Sequence, residues 1–243
     1  MTDAPAKYPQ LPLSPETAQQ IAAGRLRNPF AVLGLHQAED ETHWVTAFDP
    51  GANSMTVLME EGEFPLWHFD GVPGVFCGMV PGRAAYRLRG TNVDGDIWEN
   101  EDPYRFGPVI GEMDEYLLAE GTHQRIWQVL GAHVMEHEGV KGTHFAVWAP
   151  NAQRVSVICD FNSWDGRRNP MRLRGQTGVW EIFLPGLGEG APYKYEIIGA
   201  QGQLMAAKAD PVGFGAEHPP ATASVVRDIT GYGWDDDGWM HHR

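Results

Sequence analysis

The residues with the clearest chemical potential lie in one short segment, residues 160–166 (DFNSWDG). The segment follows an apolar run and ends in a turn signal, which predicts that Trp164 projects from a loop. An indole can pack on the C–H face of a pyranose while short polar side chains such as Asn162 meet the hydroxyls. Because ring contacts of this kind contribute about 0.5–1.5 kcal/mol beyond buried area, we predict a weak sugar-binding site. The alternative is that Trp164 folds back as a lid on the core.

Lys194 is the third candidate for this site. It lies between Tyr193 and Tyr195 in a predicted strand. Because successive side chains of a strand point to opposite faces, Lys194 points away from the face of both tyrosines. Its ammonium group could donate to a sugar hydroxyl or could simply be solvated.

The remaining polar motifs predict no metal site and no cofactor. His133 and His137 are four residues apart, but we interpret their segment as a loop that would not place them on one face. Residues 139–143 (GVKGT) lack the spacing of a phosphate loop. Residues 235–238 (DDDG) lack the distal glutamate of a calcium loop. We assign no catalytic residue.

The elements that would position the candidate residues occur twice along the chain. Residues 30–36 (FAVLGLH) return as 127–133 (WQVLGAH), and 48–52 (FDPGA) returns as 148–152 (WAPNA). Later pairs keep the same order, while the spacing between copies grows as loop insertions would make it. The sequence therefore predicts two copies of one domain, residues 1–112 and 113–230, followed by a lead-in segment at 231–243.

Short runs rich in Val, Thr, Phe and Trp, separated by Pro-Gly and Asp-Gly turns, predict strands in both copies. The predicted fold is all-β, with two tandem immunoglobulin-like β-sandwich domains. Two short helices accompany them, an N-terminal one capped by Ser14 and ended at Gly24, and a linker helix at 113–120 closed by Gly121. The predicted strands are 43–48, 55–59, 65–69, 75–80 and 84–89, then 143–148, 154–159, 171–174, 179–184, 193–198, 203–205 and 222–226.

The charge and the cysteine content of the sequence limit the classes of partner and the cellular compartment that we expect. A net charge of −14 argues against a nucleic-acid partner or an anionic membrane surface. Cys77 and Cys159 fall in apolar runs of separate copies, which argues against a disulfide. The N-terminus does not resemble a signal peptide, and no apolar run approaches spanning length. We therefore expect a cytoplasmic protein.

Several motifs together carry a family resemblance. The sequence resembles the N-terminal part of the bacterial glycogen branching enzymes, the 1,4-alpha-glucan branching enzymes of glycoside hydrolase family 13. The matching motifs are 28–34 (NPFAVLG), 102–108 (DPYRFGP), 117–123 (LLAEGTH), 130–133 (LGAH), 145–152 (FAVWAPNA), 161–167 (FNSWDGR) and 193–196 (YKYE).

The resemblance implies an amino-terminal sandwich followed by a carbohydrate-binding module of family 48. It implies α-1,4-glucan or glycogen as a partner, with Asn162, Trp164 and Lys194 in the binding site. A second tryptophan of related modules is replaced by Leu204, which predicts weaker binding. Such enzymes transfer α-1,4-glucan segments to 6-hydroxyls on a (β/α)₈ barrel, so the barrel is a second implied partner. Its motifs are missing here, and we expect the chain alone to be inactive.

Three other interpretations remain open at this point. The two domains could be purely structural supports for a barrel. The chain could be a free-standing module that docks a regulator onto glycogen, or it could be the N-terminal part of a debranching enzyme.

Overall fold

The computed structural model describes residues 13–38, 41–231, 233 and 235–242, so residues 1–12 of the predicted first domain lie outside the described residues. The helices are α1 Pro15–Ala22, α2 Glu112–Glu120 and α3 Asp237–Met240, with 3-10 turns at Pro29–Ala31, Pro103–Arg105, Ile126–Gln128 and Asp160–Asn162. The strands are β1 Gly34–Gln37, β2 His43–Phe48, β3 Ser54–Met59, β4 Gly62–His68, β5 Val75–Val80, β6 Arg87–Thr91, β7 Ile97–Glu101, β8 Gly131–His137, β9 Val140–Trp148, β10 Arg154–Cys159, β11 Arg172–Arg174, β12 Val179–Pro185, β13 Pro192–Ile198 and β14 Ser224–Val225.

Both predicted helices are present, with the expected ends. The Ser14 hydroxyl accepts a hydrogen bond from the Thr17 backbone N–H, and proline opens α1. Gly121 ends α2 in the left-handed conformation, with φ of 71°. In the described part of the chain, the helices are all too short or too polar to cross a membrane.

Strands β1 to β7 form one antiparallel sheet in the order β1-β2-β5-β4-β3-β6-β7. The first part of β4 pairs with β3 and its last two residues pair with β5, so the sheet bends at β4 into two layers. Side chains of β2 and β5, such as Val45 and Phe76, pack there against Val57 of β3. This is the first predicted sandwich.

The second half of the chain forms two separate sheets, β11-β12-β9-β8 and β10-β13-β14. Alternate residues of each sheet turn inward, so Phe145 and Ile182 of one meet Val157 and Tyr195 of the other in a fully buried core. The predicted all-β fold of two sandwiches is therefore confirmed.

Strand β8 corrects one prediction, and β1 was not among the predicted strands. The segment that we interpreted as a loop is β8, which pairs with β9 along its whole length. Since alternate strand residues share a face, His133 and His137 do lie on one side of β8, roughly 13 Å apart. Each Nε2 instead contacts a backbone carbonyl oxygen, of Leu130 and Gly107 respectively.

Two smaller features also differ from the prediction. The predicted strand at 203–205 is a single bridge between Ile198 and Leu204. Among its described residues, the lead-in segment forms one helical turn, α3.

Each domain contains a buried tyrosine–aspartate contact, between Tyr86 and Asp102 in the first and between Tyr193 and Asp210 in the second. In the first domain the Tyr86 hydroxyl donates to Asp102 at 2.5 Å. In the second, Tyr193 donates to Asp210 at 2.7 Å, and Tyr195 donates to the same oxygen at 3.0 Å. Burial raises the pKa of both aspartates. Each contact fastens the chain that follows a hairpin to the sandwich core.

We expect Tyr86→Phe to destabilise its domain more than Tyr193→Phe destabilises the other. The first change leaves the buried Asp102 Oδ2 without its tyrosine donor, at a cost of about 1–3 kcal/mol. After the second, Asp210 still accepts from Tyr195, so the loss should be about 0.5–1.5 kcal/mol. Urea denaturation followed by amide hydrogen exchange in β5 and β12 measures both losses. Equal losses, or the reverse order, would contradict this interpretation.

The two domains pack against each other through residues from both. Tyr104 donates from its hydroxyl to the carbonyl oxygens of Arg168 and Pro170, both at 3.2 Å. The Arg172 guanidinium lies 3.6 Å from the centre of the Phe30 ring. Burial there lowers the pKa of Arg172 to about 10. These contacts attach residues 168–172, which follow the loop that carries the candidate site, to the first domain.

Candidate functional site

The candidate site lies on a loop that leaves the end of β10. Residues 160–162 form a 3-10 turn, and Ser163 and Trp164 then both adopt the left-handed conformation, with φ of 58° and 57°. For residues other than glycine this conformation costs on the order of 1 kcal/mol or more each, and it persists only where surrounding contacts impose it. The loop is therefore held in one shape that turns Trp164 outward.

Asn162 supplies the contacts that hold this shape. Its side chain is buried, with an exposed fraction of 2%. Its Oδ1 accepts from the Cys159 N–H, while its Nδ2 donates to the carbonyl oxygen of Val157 and to Asn169. Because the amide is fully engaged inside the loop, Asn162 positions the loop and does not present hydrogen-bonding groups to solvent.

Trp164 remains accessible. The exposed fraction of this residue is 37%. Its Nε1 donates to the Asp160 carboxylate at 2.7 Å, which fixes the indole orientation and leaves the ring for packing. The backbone N–H of Trp164 donates to the carbonyl oxygen of Cys159, the last residue of β10. The ring is therefore not a lid over the core.

Lys194 lies on the outer face of the neighbouring strand. It is in register with Ile158, the residue next to Cys159, so β13 presents it beside the root of the Trp164 loop. Tyr193 and Tyr195 are fully buried, as the alternation predicted, and the Lys194 ammonium donates to the Thr222 hydroxyl at 2.7 Å.

The loop lies over this outer face. A Cβ at Gly166 would overlap the carboxylate of Glu196, two residues along β13 from Lys194. The structure thus brings Trp164 and Lys194 to one surface, with Asn162 beneath it.

Leu204 lies further along the same face. It pairs with Ile198, four residues from Lys194 and roughly 13 Å away along the strand. Its exposed fraction is 65%, which is high for a leucine.

The loop has no counterpart in the first copy. Residues 64–67 (FPLW), which keep the aromatic spacing, lie inside β4 and pair with β3 and β5. The growth in spacing between the copies falls partly between β10 and β12, where this loop is inserted.

Two different protein families match the two halves of the chain. Residues 14–104 match the N-terminal domain of the alpha-1,4-glucan branching enzyme GlgB. Residues 129–213 match carbohydrate-binding module 48, the isoamylase N-terminal domain. The chain belongs to the GlgB family and corresponds to its N-terminal region. The candidate loop and Lys194 both fall within the carbohydrate-binding module.

Curated GlgB relatives show the same correspondence over nearly the whole chain. The 1,4-alpha-glucan branching enzyme GlgB of Roseobacter denitrificans is 55% identical over 95% of this chain and 32% of its own length. The enzymes of Paramagnetospirillum magneticum and Rhodospirillum rubrum are 52% and 48% identical, over 92% and 94% of this chain. The chain spans about a third of the length of these relatives.

Proposed function

We propose that this chain is the non-catalytic N-terminal part of a 1,4-alpha-glucan branching enzyme and that its second domain binds α-glucan. The observation that carries the proposal is the exposed ring of Trp164, which a hydrogen bond to Asp160 holds in one orientation. The ring lies on the same domain as Lys194, and that domain matches carbohydrate-binding module 48. Trp164 packs on the sugar ring and Lys194 donates to a hydroxyl. Asn162 acts indirectly, by holding the loop.

A single such surface binds one short glucan weakly, because one stacked ring contributes only about 0.5–1.5 kcal/mol beyond area. It gains when other sites hold the same polymer, since the second contact becomes intramolecular. The module therefore keeps a glucan chain near a catalytic site elsewhere in the parent enzyme, and its own residues take no part in bond breaking.

The second proposed partner is the catalytic barrel of the parent enzyme, which would follow this region. Large apolar side chains are exposed on and after the linker helix, at Met113, Tyr116 and Trp127. Such a group of exposed apolar residues is typical of an interaction surface. We place the protein in the cytoplasm, where its two buried cysteines remain free thiols.

The proposal is tested by titrating the chain with maltoheptaose and following heat or indole fluorescence. We expect saturable, weak binding that glycogen strengthens. A wild-type chain that binds neither ligand would falsify the glucan claim and leave a purely structural role.

We expect Leu204→Trp to strengthen glucan binding. The substitution restores an aromatic ring at an exposed position of the same face, where nothing needs to be displaced. The added ring contact should lower the Kd for maltoheptaose roughly twofold to tenfold. Leu173→Trp, at an exposed leucine of the opposite sheet, is the matched control and should leave the Kd unchanged. An unchanged Kd in Leu204→Trp would show that Leu204 lies off the binding surface.

A further inference from the structure

A groove between the two domains carries aromatic and polar side chains that the Trp164 surface does not use. One part of it has a volume of about 340 Å³, within the range of about 300–1,000 Å³ typical of small-ligand sites. The groove continues inward past Tyr104 and Asn169. Its principal lining residues are Asp49, Asn92, Trp98, Asn100, Phe161 and Arg168.

The two rings of this groove come from different domains. Trp98 lies on β7, at the edge of the first sheet, and its indole rests directly on Gly90 of β6. Any Cβ at Gly90 would overlap the indole, so glycine is required for the ring to lie there. Phe161 belongs to the 3-10 turn before Trp164 and has an exposed fraction of 42%. The half-buried ring of Trp98 and the exposed ring of Phe161 on two walls of a groove suit a ligand with flat apolar faces.

The polar groups suit a ligand with many hydroxyls. Arg168 and Asp49 form an ion pair at 2.9 Å that joins the two domains within the groove. Asn100 is exposed on the same strand as Trp98. The Asn92 side chain accepts from the N–H groups of Asp94 and Asp96, so it shapes the hairpin beside the groove. Guanidinium, carboxylate and amide groups together can donate to and accept from sugar hydroxyls.

We propose that this groove is a second α-glucan subsite, with Trp98 and Phe161 as its stacking platforms and Asn100 and Arg168 as its polar contacts. The inference rests on the proposed function, because it assigns the same ligand class to a second surface. Phe161 and Trp164 are three residues apart, at most roughly 11 Å along the chain. One glucan can therefore extend from the Trp164 surface toward the groove, or neighbouring branches can occupy both.

The test follows the indole N–H signals of Trp98 and Trp164 by NMR while maltoheptaose is added to the full chain. We expect both signals to shift along the titration. Trp98→Ala should raise the Kd roughly threefold to tenfold. Asn100→Ala, at an exposed site that should not disturb folding, should raise it roughly threefold. Ile97→Ala is the matched control on the opposite face of β7 and should leave the Kd unchanged.

The outcomes separate the groove from the Trp164 surface. If the Trp164 signal shifts while Trp98 stays still, and Trp98→Ala and Asn100→Ala keep the wild-type Kd, the groove proposal is overturned and the proposed function stands. A Trp98 shift that persists in Trp164→Ala supports the groove independently. A chain that binds no maltoheptaose overturns both.

Discussion

Replacing Glu181 with alanine will lower the free energy of unfolding of the second domain by roughly 3–5 kcal/mol. Glu181 has an exposed fraction of 1%. Its Oε2 lies 2.9 Å from His144 Nε2 and accepts from the backbone N–H groups of Val109 and Ile110. Its Oε1 lies 3.3 Å from Arg174 Nε. The carboxylate thus ties the segment before the linker helix to the sheet, and its removal leaves several buried donors unpaired.

Urea denaturation measures the loss, and amide hydrogen exchange in β12 assigns it to the second domain. Glu136→Ala, an exposed glutamate on β8 of the same sheet, is the matched control and should change stability by less than about 0.5 kcal/mol. Equal small effects of both substitutions would show that the buried carboxylate contributes little to folding.

The contact between Glu181 and His144 also makes the stability of the second domain depend on pH. Burial alone would raise the pKa of Glu181, but the hydrogen bond and charge of His144 and the Ile110 N–H hold it below its ordinary value. Burial lowers the pKa of His144 against the opposing effect of Glu181. Both folded-state pKa values are depressed, so both contributions to stability are complete above the unfolded-state pKa values, about 6.5 for histidine and about 4.3 for glutamate.

Stability should therefore fall as the pH drops below about 6.5, and fall further below about 4.3. Glu181→Ala should remove the second part of this dependence. An acid branch of the same slope in wild type and variant would show that the carboxylate is not responsible for it.

The repeat and the residue alternation were sufficient to predict most of the fold. The correspondence extends to the buried tyrosine–aspartate hydrogen bond, which Tyr86 makes in the first domain and Tyr193 makes in the second. Lys194 was placed on the outer face correctly, because a strand period of two fixes its direction once its tyrosine neighbours are buried.

Strands β1 and β8 were missed because their sequences, 34–37 (GLHQ) and 131–137 (GAHVMEH), mix apolar and polar residues without a clear alternation. Each begins at a glycine, Gly34 or Gly131, whose φ of 89° or 104° allows a sharp entry into the strand. Pairing with β2 and β9 then stabilises an extended conformation that local sequence preference does not specify.

The site itself was predictable only in part. The segment and its tryptophan were recognisable from residue types, but the role of Asn162 depends on Val157 and Asn169, which reach it only once the loop is folded. The groove was beyond prediction, because Trp98 and Phe161 are far apart in sequence and meet only through the packing of the two domains.

The Trp164→Ala chain will bind maltoheptaose at least about tenfold more weakly than the wild type. The substitution removes the exposed ring that the loop presents, together with the apolar area that a pyranose would cover. The fold should persist, because the ring is partly exposed and lies outside the buried core of the second domain.

The matched control is Trp148→Ala in the same domain. Trp148 has an exposed fraction of 61% at the end of β9 in the other sheet, and its indole likewise donates one hydrogen bond, to the carbonyl oxygen of Thr177. Removing it should leave glucan binding unchanged. A loss of binding in both variants would indicate a general effect of tryptophan removal on the domain.

The most direct test of the account is therefore calorimetric titration of folded wild-type, Trp164→Ala and Trp148→Ala chains with maltoheptaose. We predict saturable binding by the wild type and by Trp148→Ala, and a loss of at least about tenfold in Trp164→Ala. Equal affinity of the wild type and Trp164→Ala would contradict the account, because the loop of the second domain would then not be the glucan-binding surface.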